Sequence, residues 1–340
     1  MPYDPWACYH QMLRSRLYEE AVSRLWDAGL ISGEMHTGTG EEAINAGVVG
    51  HLQDGDALAL DHRGTGPLLM RGLDPVLLLK EFLGRPDGLC RGQGGHMHLF
   101  SPDLLAASSG IVGSSGPAAV GFGLAAQHLR PNAVAVAFFG EGAMNEGMMM
   151  ESLNLAVVWN LPVIFVCKDN GWGITTESAT VIGGSLIERA RGFGMAVYTT
   201  DGRDVEAVWD AAESAITRTR AGGGPAFIHA TCVHIHGHFM GDPLMRIADN
   251  PLKEMTPLAG PMLRSLLRPK GTSLNERLAR VGSILRLGGK VAQQKAGEDD
   301  PVLRARQPLT ADSEQLEALE RAVVDELEDI VHSALVPVVA

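Results

Sequence analysis

Residues 133–172 read AVAVAFFGEGAMNEGMMMESLNLAVVWNLPVIFVCKDNGW, and this stretch decides the fold. Its two apolar runs, residues 134–139 and 162–166, have the length and the β-branched or aromatic character of buried parallel strands. Residues 146–159 between them have the length and apolar spacing of a crossover helix. The unit is βαβ. In open α/β sheets a ligand lies beyond the carboxyl ends of the strands, so Gly140-Glu141-Gly142 and Asp169-Asn170 are expected to face one crevice. The glycines let backbone approach a ligand closely, and the helix that follows offers free N–H groups to anionic oxygens.

Two common phosphate-binding patterns do not fit these glycines. Gly140, Gly142 and Gly147 are spaced G-x-G-x-x-x-x-G instead of G-x-G-x-x-G, and Gly147 precedes Met148-Met149 where a P-loop has Lys followed by Ser or Thr. A third pattern fits. Gly-acid-Gly after one strand, with Asn170 twenty-nine positions after Glu141 and behind a second strand, resembles the diphosphate–magnesium motif of thiamine-diphosphate enzymes. Magnesium takes hard oxygen ligands and keeps part of its shell for phosphate and water, which suits a carboxylate and an amide oxygen. For this motif alone, a plain glycine-rich βα turn is the alternative.

The chain has 340 residues, 45% hydrophobic and 5% aromatic, enough for one large α/β domain or two smaller ones. A net charge of −12 argues against broad nucleic-acid binding, which relies on Lys and Arg neutralising phosphates. Met1-Pro2-Tyr3-Asp4 lacks a basic region followed by an apolar run, and no apolar stretch approaches the ~18 residues of a membrane span. The expectation is a cytoplasmic protein with no membrane partner. Cys8, Cys90, Cys167 and Cys232 are scattered without C-x-x-C spacing, as expected of reduced, buried thiols.

Working outward, residues 6–30, 41–52, 74–83, 117–129, 186–193 and 205–220 show helical periodicity, while 57–60, 196–199 and 226–232 read as strands. This alternation predicts an α/β fold with a mainly parallel sheet flanked by helices on both faces. Strand 57–60 runs into Asp61-His62-Arg63-Gly64, where the arginine reads either as an anion clamp or as an exposed loop side chain. In the glycine-rich loop 91–98, His96 and His98 suit a structural or proton-relay role better than metal binding, because no further ligand has suitable spacing. The small residues of 108–116 permit close approach to a flat ring, with Ile111 and Val112 beneath it, or equally a tight packing turn.

The last strand runs out into residues 234–243, HIHGHFMGDP. His234, His236 and His238 share a face if the strand continues, but Gly237 interrupts it and no Cys or carboxylate has matching spacing. One histidine at a strand's carboxyl end suits acid–base work or phosphate contact, and His238 is the candidate.

In order along the chain, HRGTG (Arg63), GGHMH, GIVG (Val112), GEGAMNEG (Glu141), KDNGWG (Asn170) and HGHFMGDP (His238) resemble the α subunit of the first component of thiamine-diphosphate-dependent 2-oxoacid dehydrogenases. The motifs are most similar to the acetoin dehydrogenase branch, over residues 10–245 and again near 300–304. The resemblance implies a thiamine-diphosphate-binding fold with thiamine diphosphate and Mg2+ as cofactors. It implies that Glu141 and Asn170 bind magnesium through their side chains and Trp172 through its main-chain carbonyl. By the same likeness, His62 and Arg63 hold the diphosphate, Gly142 and Ala143 lie against it, and Gly110 and Val112 touch the aminopyrimidine. His238 is implied to sit by the diphosphate and the reacting carbon, as the catalytic candidate. The implied activity is decarboxylation of a 2-oxoacid, or cleavage of an acyloin, with the acyl group passed to a lipoyl or other acyl-carrier domain. The implied partner is a β subunit that completes an α2β2 heterotetramer and supplies the glutamate that activates the cofactor. A carboligase forming acyloins and a noncatalytic subunit of the same fold are the rival readings.

The sequence departs from the family pattern at four places. Glu141 stands where the family has Asp, Thr65 where it has a second loop His, and Phe239 where some relatives have a phosphorylated Ser. The fourth is residues 246–295, longer than in relatives, with ten Lys or Arg against three acids. Such charge asymmetry predicts either a docking surface for an acidic carrier or a solvated helical hairpin over the crevice. The expected organisation is a cofactor-binding α/β domain over residues 1–245 and a basic helical insertion over 246–299. Residues 300–340 are expected to carry a C-terminal helix packed on the domain, with Asp312 and Ser313 as capping candidates.

Overall fold

A computed structural model of the chain describes residues 2–268, 271–279, 282 and 300–336. Asp-Pro pairs open several of the described helices. Asp4 caps α1 (Pro5–Asp27), Asp74 caps α4 (Pro75–Phe82), and Asp300 caps the helix Pro301–Arg306, each carboxylate accepting from first-turn N–H groups. Proline at the first helical position costs no hydrogen bond there, and its fixed φ is already helical. Between the first two lie α2 (Glu42–Val49), strand β1 (Ala57–Leu60) and α3 (Thr65–Met70).

Further along come β2 (Phe100–Ser101), β3 (Ala106–Ser108), α5 (Ser115–Leu129), β4 (Ala135–Gly140), α6 (Gly147–Val158) and β5 (Val163–Asp169). After these follow the hairpin β6 (Trp172–Gly173) and β7 (Thr176–Glu177), then α7 (Leu186–Gly192), β8 (Ala196–Asp201), α8 (Val205–Arg220) and β9 (Ala226–Thr231). The main sheet has seven strands in the order β2-β3-β1-β4-β5-β9-β8, parallel throughout except for the short β2–β3 pair. The chain goes from β1 out to β3 and returns to β4 on the other flank of β1. That reversal makes the carboxyl ends of β1 and β4 the topological switch point, where open α/β sheets leave a crevice.

Alternating side chains sort into two cores, one on each face of the sheet. Val136, Phe138, Ile164, Val166 and Ile228 pack with α1, α2, α8 and the C-terminal helix Ser313–Leu335. Ala137, Phe139, Phe165, Cys167 and Phe227 pack with α5, α6 and α7. Burial on both faces is why these strands read as unbroken apolar runs. The α/β class and the parallel sheet are therefore as the sequence predicts. Five elements differ: β2 and β3 are two and three residues long and carry little pattern, α3 begins inside the expected loop, and the β6–β7 hairpin was not expected.

The C-terminal helix is capped by Asp312, which accepts from Gln315 N, and packs on α1 and α4. In the basic stretch, α9 (Pro243–Asp249) and α10 (Pro251–Leu266) are helical. Arg277 donates to the carbonyls of Ser265, Leu266 and Arg268, closing the open end of α10. Lys270, Arg280, Arg286, Lys290 and Lys295 lie outside the described residues, as does the part of the expected insertion over residues 283–299. No helix among the described residues is long and apolar enough to cross a membrane.

Candidate active site

Five strand ends meet at one crevice of about 310 Å³. β1 delivers Asp61, His62 and Arg63, the loop after β3 delivers Ser109, Ile111 and Val112, and β4 delivers Gly140, Glu141, Gly142 and Ala143. β5 delivers Asn170 and Trp172, and the run after β9 delivers His234 and His238. Of the candidate residues, all but Gly110 line this space. Gly110 lies against Met97, whose Sδ would be 2.8 Å from an added Cβ.

Glu141 is 2% exposed and begins the 3-10 turn that follows β4. Burial pushes its carboxyl up to about 7, although a hydrogen bond from Ser178 Oγ to Oε1 pulls the other way, and Asp169 adds to the rise. No Lys or Arg pairs with it among the described residues. A buried carboxylate so placed is costly until a cation arrives. Asn170 holds its Oδ1 on Trp172 N at 2.8 Å and its Nδ2 on His234 Nδ1, so the amide has one oxygen lone pair to spare. Glu141 and Asn170 thus form a hard oxygen pair that fits magnesium. Asp169 turns away, accepting from Gly171 N and meeting His229 Nε2 at 2.8 Å.

Opposite stand four imidazoles around one guanidinium. Arg63 is buried and donates to the main-chain carbonyls of Thr37 and His238, with Nη2 also 3.4 Å from His238 Nδ1. Burial, then the Arg63 charge, holds His62 down to about 3, His96 to about 4 and His238 to about 4. His36, depressed first by burial and then by His62 and the Arg63 charge, meets His96 Nε2 through Nδ1 at 3.0 Å. All four are therefore neutral near pH 7. His36, His62 and His238 can bring ring nitrogens within 4.8 Å of one another. With Arg63 among them, an anionic oxygen ligand suits the group better than a second cation. His62 Nε2 is buried with no hydrogen-bond partner among the described residues.

As the interruption at Gly237 predicts, the strand does not continue and His234, His236 and His238 do not form one shared face. His234 enters the crevice, whereas His236 lines a separate groove beside Trp26 and Met245. Sequence reasoning missed His36, Glu41, Lys168 and Ser178. Lys168, on β5, meets Glu41 Oε2 at 2.6 Å and Asp61 Oδ2 at 3.0 Å, all three being buried or nearly so. Burial opposes the charge on Lys168, but Asp61 and Glu41 outweigh it and hold the proton on. Glu41 Oε1 also lies 2.9 Å from His234 Nε2. Gly40 makes this possible. Its φ of +102° and its contact with the next segment exclude a side chain, since an added Cβ would sit 1.8 Å from Val233 O. A signal existed for Lys168 alone: a lysine ending an otherwise apolar strand is seldom buried unpaired.

The sheet and crevice have counterparts among known proteins. The structure aligns with transketolase from Campylobacter jejuni at a TM-score of 0.53 and 18% identity, covering 92% of this chain and 50% of that one, a likeness of fold alone. This chain spans about half the length of that transketolase. In sequence it is 43% identical over 237 residues to the acetoin:2,6-dichlorophenolindophenol oxidoreductase α subunit of Bacillus subtilis, covering 69% of this chain and 71% of that protein. It is 36% identical over 238 residues to the pyruvate dehydrogenase E1 component α subunit of Zymomonas mobilis, covering 69% and 67%. The model of the dehydrogenase E1 component family matches residues 10–258. This chain belongs to the dehydrogenase E1 component family, whose members depend on thiamine diphosphate, and is an α-type oxidoreductase subunit.

Proposed function

We propose that this subunit works on acyloins of the acetoin class, cleaving the carbon–carbon bond beside the carbonyl to release an aldehyde and passing the other fragment to a lipoyl carrier, whose disulfide takes up two electrons as the fragment becomes an acyl group. The 43% identity to an acetoin-oxidising relative supports that substrate over a 2-oxoacid. The observation that carries the reading is the buried Glu141 carboxylate beside the Asn170 amide, across one crevice from His62, Arg63 and His238.

Glu141, Asn170 and the main chain at Trp172 hold magnesium. Gly142 and Ala143 leave room for the diphosphate, which His62 Nε2 and the Arg63 edge of the crevice meet. Val112, with the main chain at Gly110, borders the ring system. Thiamine diphosphate, when bound, supplies the electron sink for the pair released on bond cleavage. His238 keeps its Nδ1 lone pair toward Arg63 Nη2, which leaves the proton on Nε2, directed to substrate oxygen as a hydrogen-bond donor. Ile111, Val112 and Ile174 are more than half exposed at the mouth, as a surface awaiting a β subunit in an α2β2 assembly would be. A cytoplasmic location belongs to the same reading.

Calorimetry of the subunit paired with its β partner tests it. Thiamine diphosphate binds with magnesium and not without, and the pair then reduces an artificial electron acceptor faster with acetoin than with pyruvate. Cofactor binding indifferent to magnesium removes the metal assignment, and preference for pyruvate removes the substrate. Carbon–carbon ligation without any acyl carrier favours the carboligase.

A further inference from the structure

Glu41, Lys168 and His234 form a buried chain of contacts to which the cofactor reading gives no part. Lys168 Nζ lies 2.6 Å from Glu41 Oε2, Glu41 Oε1 lies 2.9 Å from His234 Nε2, and His234 Nδ1 meets Asn170 Nδ2. We propose that His234 is a positioning residue that fixes the rotation of the Asn170 amide, turning its oxygen toward the metal side of the crevice, with Glu41 and Lys168 setting the tautomer of His234.

The argument needs only donors and acceptors. A carboxamide has two ends of nearly equal shape, and only the oxygen can bind a hard cation. Lys168 Nζ, which can only donate, lies 2.6 Å from Glu41 Oε2, and this buried contact is satisfied by an ionised carboxylate, whose Oε1 then accepts from its own neighbour. His234 must then carry its hydrogen on Nε2, which leaves Nδ1 bare. A bare Nδ1 accepts, so Asn170 must show it the NH2 end. The oxygen is left on the far side, where Trp172 N takes one lone pair at 2.8 Å and the other stays free. The two ends of the amide therefore agree on one orientation. Outer partners of this kind fix how an inner ligand is presented, and their loss costs 10–100-fold in metal affinity.

This inference rests on the proposed magnesium site, so its test separates the two. The measured quantity is the magnesium concentration that half-saturates thiamine-diphosphate binding to the αβ complex, by calorimetry. His234→Phe keeps the ring and removes the acceptor, and raises that concentration about ten-fold, while His234→Gln, which again offers an oxygen to Asn170, returns it to within about three-fold of the starting value. If Asn170→Ala weakens magnesium binding but His234→Phe does not, the positioning role is overturned and the metal site stands. If Asn170→Ala changes nothing, both fail. Should His234→Phe not fold, nitrogen-15 histidine spectra of the unsubstituted complex decide: a proton on His234 Nε2 supports the inference, and one on Nδ1 overturns it.

Discussion

Ser178 Oγ donates a hydrogen bond to Glu141 Oε1, although the two residues stand 37 positions apart in sequence. The β6–β7 hairpin carries Ser178 back over the end of β4, and its hydroxyl is set against the carboxylate that the proposed metal needs. Ser178→Ala should raise the magnesium requirement for cofactor binding several-fold, whereas Glu141→Ala should abolish magnesium-dependent binding. Glu141→Asp draws the oxygens back by roughly 1.5 Å, out of reach of Ser178, and should bind more weakly. Calorimetry on the three variants checks this, and equal binding by all of them would refute the metal assignment.

Lys168, Glu41 and Asp61 are a stability device as much as a site. Burial raises the Asp61 carboxyl, but Lys168 and His62 outweigh it and hold it below its ordinary range. Removing one member of a buried ion pair strands the other, so Lys168→Met should lower unfolding stability by ~3–5 kcal/mol. Glu41→Gln combined with Lys168→Met should cost less than the two single changes added together. Urea titrations of the four proteins give the answer, and strict additivity would show that the pair is not coupled.

Glu19 predicts a dependence on pH away from the crevice. It is fully buried in α1, accepting from Gly38 N at 2.9 Å and Thr39 Oγ1 at 3.2 Å, and burial, with Glu42 and Glu41 nearby, raises its carboxyl to about 7. The folded chain keeps this proton up to about 7, while the unfolded chain releases it near 4.5. Stability from this group is therefore present at low pH and is lost as pH rises through that window. Glu19→Gln cannot ionise. Relative to the parent it should gain on the order of 3 kcal/mol between pH 5 and pH 8, read from denaturant midpoints. A constant difference at both pH values would mean that Glu19 titrates normally.

The basic stretch makes a separable prediction. Arg264 and Arg268 are exposed, whereas Arg277 is spent on the carbonyls that end α10. Changing Arg264 and Arg268 to Ser should slow acyl transfer to an acidic carrier at 0.1 M salt, where the Debye length is ~10 Å, and have little effect at 1 M, where it is ~3 Å. Reduction of an artificial acceptor should not change. Arg277→Ala should instead loosen α10, visible as faster amide exchange there. Equal loss in both assays would count against docking.

The fold was legible because β4, β5 and β9 are buried on both faces, so their apolar runs are long and end abruptly at chemistry-bearing residues. β2 and β3 were not legible, since two or three residues carry no period. Within the site, residues that follow strand ends announced themselves: His62, Arg63, Glu141, Asn170 and His238. His36 and Ser178 did not, because each reaches the crevice from a loop whose path is set by tertiary packing. Glu41 read as a helix start and Lys168 as a strand end. Only the fold, which sets the start of α2 beside the carboxyl ends of β1 and β5, brings their charges together.

The seam at Gly40 divides the crevice into a fixed jaw and a free one. On one side, Gly40 lies flush against Val233, Met240 N bonds Met35 O, and Arg63 ties Thr37 to His238, so the loop before α2 and the run after β9 are riveted together. On the other side, the loop bearing Ile111 and Val112 and the hairpin region bearing Ile174 and Val181 face outward with their apolar side chains more than half exposed. Whatever fills the crevice must therefore be admitted by the second jaw alone, and any residue but glycine at position 40 would jam the first.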